Sequence, residues 1–310
     1  MSTISSQSES ALAITGLSKK YGEVPVLSNL ELGISRGSIH GLVGLNGSGK
    51  TTTIECSLGL QRFDSGNISL LGLTPDRLHL AKGKVVAIFD TPGLHPNLTV
   101  RQNLVLARGL CEAPVRTPQD VEKMLGVSRY SGYRTRQLSL GNKRRTSIAQ
   151  ALLGNPELII LDEPFNGLDA EGVDDVLRLV QLLNREFGTS FLLCSHQLPY
   201  LEQVCSHIAI LHKGRIARNG TVADLLGVTH NLALLRTDQI EQAKALLQTL
   251  PGAQSDGIDA DGFLRVQLGE MTSVALNQTL VSHHIGVAEL HLQRPSLTGL
   301  FRQLTNGETL

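Results

Sequence analysis

Residues 39–60 read Ile39-His-Gly-Leu-Val43, then Gly44-Leu-Asn-Gly-Ser-Gly49-Lys50-Thr51, then Thr52-Thr-Ile-Glu-Cys-Ser-Leu-Gly-Leu60. An apolar β-like run thus enters a glycine-rich loop that closes on Lys-Thr, and a helix-like segment leaves it. Spelling and context both match GxxxxGK[ST]. Glycines let backbone N–H groups turn inward around phosphates, and the helix that follows offers unpaired N–H donors at its positive dipole end. Gly44, Asn46, Gly47, Ser48, Gly49, Lys50, Thr51 and Thr52 are therefore the candidate nucleotide contacts. Lys50 would bridge the β and γ phosphates, and the Thr51 hydroxyl would hold the Mg²⁺ that joins them.

Outward from this loop, further short apolar runs stand at Val85–Phe89, Leu158–Leu161 and Phe191–Cys194, with longer amphipathic stretches between them. That alternation predicts a parallel sheet flanked by helices, an α/β fold. His207–Leu211, Lys213-Gly214 and Arg215–Ala217 read as a strand, a tight turn and a closing strand. Residues 93–155 show helical periodicity and proline breaks, which predicts an inserted helical subdomain. Past residue 225, strand-like and helix-like segments alternate again: Leu232–Leu235, Gln239–Leu250, Phe263–Leu268, Ser273–Ser282 and Val287–Leu292. The expected organisation is a disordered leader at 1–10, a nucleotide-binding domain at 11–225 and a small α+β accessory domain at 226–310.

Leu158-Ile-Ile-Leu161 runs directly into Asp162-Glu163. A buried strand that ends in paired carboxylates supplies the second half of a phosphoryl-transfer site. Asp162 is expected in the Mg²⁺ shell. Adjacent strand residues point opposite ways, so Glu163 is expected to turn toward the γ-phosphate as general base.

Composition narrows the class. The 310 residues carry 28 Lys and Arg against 28 Asp and Glu, so no global field recruits nucleic acid or an anionic surface. No apolar run reaches the ~18–20 residues of a bilayer span, and MSTISSQSES has neither the basic start nor the apolar core of a secretion signal. Cys56, Cys111, Cys194 and Cys205 form no CxxC pair and read as reduced structural thiols.

Just upstream of the carboxylate strand lies Leu138-Ser139-Leu140-Gly141-Asn142, which resembles the LSGGQ signature of ATP-binding-cassette (ABC) ATPases. Over about residues 12–225 the motifs follow that family's order, which implies a P-loop NTPase fold with a RecA-like core. Asn166-Gly167-Leu168-Asp169 resembles the D-loop, His196 is similar to the switch histidine that senses the γ-phosphate, and Tyr21 stands where the family stacks an aromatic ring on adenine. The resemblance implies two cassettes sandwiching ATP and Mg²⁺, with Ser139 and Gly141 of one subunit meeting the γ-phosphate held by the other. It also implies a homodimer, an integral membrane permease as partner, and a cytoplasmic place on the inner face of the membrane.

Two departures stand out. The signature carries Leu140 and Asn142 where the family has glycine and glutamine, and its SLGxxxR pattern is similar to that of bacitracin and lantibiotic exporter cassettes, which implies efflux. Asp90 occupies the Q-loop glutamine position, where an added carboxylate would favour Mg²⁺. Arg129, Arg134, Arg136, Lys143, Arg144 and Arg145 form a basic stretch. It reads as a solvated helical face, with no nucleic acid expected; the alternative is a surface for ribosomes or nucleic acid in a cassette without a membrane partner.

Overall fold

The computed structural model describes residues 10–91, 93–227, 231–259, 261–269, 271–293 and 296–306. All of the expected leader except Ser10 lies outside them, and Ser10 begins a strand. The chain divides into two compact units, Met1–Val222 and Ala223–Leu310.

The first unit runs β1 (Ser10–Tyr21), β2 (Val24–Ser35), β3 (Ile39–Val43), α1 (Lys50–Ser57), β4 (Ser65–Leu70), β5 (Val85–Ile88), α2 (Val100–Leu110), α3 (Pro118–Met124), α4 (Leu140–Ala151), β6 (Leu158–Asp162), α5 (Ala170–Phe187), β7 (Ser190–Ser195), α6 (Leu198–Val204), β8 (His207–His212) and β9 (Arg215–Thr221). Among the described residues its main sheet has the order β5-β6-β7-β3-β8-β9. Neighbours from β5 to β8 are parallel and β9 closes the edge antiparallel. Every residue of β3, β6 and β7 is buried, as continuous apolar runs covered on both faces require. Ligands of such sheets bind beyond the carboxyl ends of the strands. Here β6, β7 and β3 are adjacent, so residues 162–163, 195–196 and 44–51 emerge side by side.

A second, antiparallel sheet, β2-β1-β4, packs into the same core through Leu12, Ile14, Leu30, Leu32 and Ile34. Between β5 and β6 the chain is helical. Thr99 and Gln102 close a capping box on α2, and Thr117 and Asp120 close another on α3. Glu122, buried on α3, takes two hydrogen bonds from Arg101 of α2 at 2.6 and 2.7 Å, which ties the two helices.

After α7 (Val222–Gly227), the second unit runs β10 (Asn231–Arg236), α8 (Ile240–Thr249), β11 (Ala253–Ile258), β12 (Leu264–Leu268), α9 (Ser273–Ser282), β13 (Glu289–Gln293) and α10 (Leu297–Asn306). Its antiparallel sheet has the order β11-β12-β10-β13, the split βαβ arrangement. Ala233, Leu235, Leu264, Val266 and Leu268 point from the sheet into a core shared with Leu247 of α8 and with Leu276 and Leu280 of α9. Each fully buried leucine there contributes about 1.5–3 kcal/mol.

Candidate nucleotide-binding site

The loop 44–51 leaves β3 and opens α1. Gly47 and Gly49 adopt φ of 83° and 109°, in the region that favours glycine. A Cβ on Gly44 would collide with Ser48 Oγ and come within 2.7 Å of the Leu211 carbonyl. The backbone is therefore packed too closely for any side chain there. Lys50 is buried; its Nζ donates to the Gly44 carbonyl at 2.8 Å and lies 3.2 Å from Glu163 Oε1. Asn46, Gly47 and Thr51 are exposed, with Thr52 half-buried behind them.

Thr51 Oγ1 donates to Asp162 Oδ2 at 2.9 Å, so loop and carboxylate strand meet. Asp162 Oδ1 is buried and accepts no hydrogen bond among the described residues. Burial first, then the charge of Glu163, pushes the Asp162 carboxyl above its ordinary range, with the Thr51 bond opposing. A hydroxyl beside a carboxylate with an unused oxygen is a hard donor pair that fits Mg²⁺.

Glu163 is where strand reasoning gives the right neighbourhood for the wrong reason. β6 ends at Asp162, and Glu163 has φ of 45°, so its direction comes from a left-handed turn and not from strand alternation. Its Oε2 accepts from Ser195 Oγ and lies beside His196 Nδ1, both at 3.0 Å. Burial alone would raise its pKa, but His196, Lys50 and Ser195 together outweigh that and hold it below the usual carboxylate range. An ionised Glu163 can only accept in these bonds, from the Ser195 hydroxyl and from a His196 tautomer that carries its proton on Nδ1.

The expected residues Lys50, Thr51, Asp162, Glu163 and His196 are thus brought into one cluster. Asp90 faces elsewhere in it: its Oδ1 accepts from Asn166 Nδ2 at 3.3 Å and lies 3.8 Å from Arg144 Nη2. Tyr21 ends β1, 47% exposed, with Lys19 Nζ 4.9 Å from its ring centre. Ser139, Gly141 and Asp169 line a different pocket of about 330 Å³, together with Asn142 and Glu171 and with no residue of 44–51. Ser139 caps α4, accepting from Asn142 N–H, and Asp169 caps α5, accepting from Gly172 N–H.

In the basic stretch 129–145, Arg129, Arg134 and Arg136 are exposed, as its composition suggests, but its last two arginines are not free in solvent. Arg144 is 1% exposed, and Arg145 pairs with Asp175. Sequence reasoning also missed Ser195 and Gln197 as participants, and gave Asn166 only as the start of the D-loop-like segment. Ser195 had a signal, its place at the end of an apolar run next to His196.

The ABC transporter family profile matches residues 27–166. Along nearly its whole length the chain is similar to the bacitracin transport ATP-binding protein BcrA of Bacillus licheniformis, 31% identical over 96% of this chain and 97% of that one. The chain belongs to the ABC transporter family. The ABC cassette is also 33% identical to the methionine import ATP-binding protein MetN of Myxococcus xanthus, over 69% of each chain. Its fold matches a solved ATP-binding subunit of an ABC transporter with a TM-score of 0.62, 30% identity, and coverage of 69% of this chain and 91% of that one. As an ABC cassette the chain binds and hydrolyses ATP to drive a membrane permease. Among the described residues no helix is long and apolar enough to cross a membrane.

Proposed function

We propose that two copies of this chain close on ATP and Mg²⁺ and power a separate integral membrane permease that exports a peptide, antibiotic or other small molecule. The observation that carries the chemistry is the cluster of Lys50, Thr51, Asp162, Glu163 and His196 at adjoining strand ends.

Lys50 and the backbone donors of 44–49 hold the phosphates, and Tyr21 stacks on the base. Thr51 and Asp162 would hold Mg²⁺, which would supply countercharge for the phosphate oxygens; the Asp90 carboxylate is turned to Asn166 and Arg144 instead. Glu163, kept ionised, takes the proton of the attacking water. His196 fixes the Glu163 carboxylate and presents its other edge to the γ-phosphate. Ser139 and Gly141, with Asp169 at the next helix start, sit in a pocket apart from their own phosphate loop. That separation supports a homodimer in which they serve the opposite site.

Efflux is supported by the extent of the likeness. The bacitracin relative matches through the second unit, whereas the methionine importer matches only 69% of the chain. The cassette works on the inner face of the membrane, held by its permease. Burial of Arg144 and pairing of Arg145 take two of the six cations out of any nucleic-acid surface.

The test is affinity purification of Glu163→Gln protein from its own cells, in mild detergent with ATP and Mg²⁺. A stoichiometric multi-span membrane protein is expected. Recovery with ribosomes or nucleic acid, and without a membrane protein, would overturn the transport reading.

A further inference from the structure

Arg144 is among the largest fully buried side chains, and its partners are unusual for a cation. Its Nη1 donates to the Phe89 carbonyl at 2.9 Å, and its Nη2 donates to the carbonyls of Asp90 at 3.0 Å and Glu163 at 3.2 Å. One guanidinium on α4 therefore holds the chain leaving β5 and the backbone of the carboxylate at the end of β6. A planar fork of fixed donors can do this; a lysine ammonium cannot satisfy three carbonyls in that geometry.

These contacts close a ring. From Arg144 it passes to Asp90, whose Oδ1 accepts from Asn166 Nδ2 at 3.3 Å. Asn166 Oδ1 accepts from Gln197 Nε2 at 3.1 Å, and Gln197 N–H donates to Ser195 Oγ at 3.1 Å. Ser195 Oγ then donates to Glu163 Oε2 at 3.0 Å. Glu163 is thus gripped at both ends, by its carbonyl through Arg144 and by its carboxylate through Ser195. The grip falls on a non-glycine residue at φ 45°, a conformation that surrounding contacts must maintain.

We infer that Arg144 is a positioning residue for hydrolysis, setting the backbone of Glu163 and making the rate depend on where α4 and residues 89–90 lie. Any displacement of α4 or of the Asp90 segment reaches Glu163 through this one side chain and the ring it closes. Substrate is held by other groups, so nucleotide affinity is separate from this control. The inference rests on Glu163 as the base.

The test measures steady-state ATPase kinetics, nucleotide affinity and circular dichroism on the full chain for Arg144→Lys, Asn166→Ala, the double variant and Glu163→Gln. For Arg144→Lys, kcat should fall by about tenfold or more while KM for ATP stays within about threefold, the signature of lost transition-state positioning. Asn166→Ala should lower kcat by about threefold or more, and the double variant should be no more than about twofold slower than Arg144→Lys, because both cut one ring. A folded Arg144→Lys with kcat near wild type, or effects that multiply, overturns the inference. If Arg144→Lys does not fold, Asn166→Ala decides: an unchanged kcat overturns it and a lowered kcat at constant KM sustains it. Glu163→Gln separates the two readings. Full activity there removes the base and Arg144's route with it, whereas an inactive Glu163→Gln beside a normal Arg144→Lys removes only the positioning role.

Discussion

Lys50 Nζ lies 3.2 Å from Glu163 Oε1, so the phosphate-loop cation and the carboxylate beyond β6 form a buried ion pair. Both groups are placed by secondary structure: Lys50 is the first residue of α1, and Glu163 follows the last residue of β6. Lys50 also donates to the Gly44 carbonyl at 2.8 Å, which holds its ammonium over the mouth of the loop. Replacing it by Met keeps the stem and deletes the charge. Charge-assisted hydrogen bonds are worth about 1.5–3 kcal/mol, so affinity for a non-hydrolysable ATP analogue should fall by about 10–100-fold. Calorimetric titration of Lys50→Met checks this, and unchanged affinity would show that the loop binds phosphate without its lysine.

His196→Ala has a consequence for pH dependence as well as rate. Burial pushes the Glu163 carboxyl up, but the His196 bond leads the groups that pull it below the ordinary range. A base must be deprotonated, so its low pKa lets activity persist as the medium is acidified. Without His196 the Glu163 pKa rises. The acid limb of the residual kcat should therefore move to higher pH, and a limb that stays in place sinks the assignment.

What the sequence made legible follows from how local each signal is. The loop 44–51 is legible because glycines, lysine and threonine at those spacings are themselves the chemistry, and Leu158–Leu161 because a strand covered on both faces must be apolar throughout. The antiparallel β1, β2 and β4 went unread, although Leu30, Leu32 and Ile34 alternate with exposed Glu31 and Gly33 over the end of β2. Register shifts along β1 break that pattern elsewhere. β11 had no signal at all: past Ala253 its residues are exposed, on an edge strand that buries almost nothing. Arg144 was hidden for the opposite reason. In a row of cations it reads as solvent-facing, and only tertiary folding brings the carbonyls of Phe89, Asp90 and Glu163 around it.

Gly44 is a position where one methyl group decides function. Its φ is ordinary, so the obstacle is space: a Cβ would strike Ser48 Oγ and approach the Leu211 carbonyl to 2.7 Å. The hydroxyl can swing aside, but the carbonyl belongs to β8 and cannot. The loop must lift off the sheet, at about 1–3 kcal/mol for an overpacked site. Gly44→Ala should lower the thermal midpoint and weaken nucleotide binding together. Wild-type values for both would mean the loop is looser than its packing.

His40 makes the stability of the first unit depend on pH through a site at the opposite end of β3 from the phosphate loop. Its ring stacks on His207 with centroids 4.5 Å apart and an interplanar angle of 3°. Both its nitrogens are buried and without a hydrogen-bond partner among the described residues. Burial first, and then the facing His207, lower its pKa from 6.5 to about 4. The folded chain therefore holds His40 neutral where the unfolded chain would take up a proton. Stability from this group is complete above pH 6.5 and is lost as pH falls toward 4, amounting to about 2 kcal/mol by pH 5. His40→Phe keeps a flat ring against His207 and removes the titration. Denaturant unfolding at pH 7.5 and pH 5 should show a smaller loss for His40→Phe than for wild type. Equal losses in the two proteins would mean that other groups carry the acid sensitivity and that the His40 ring finds a way to charge within the fold.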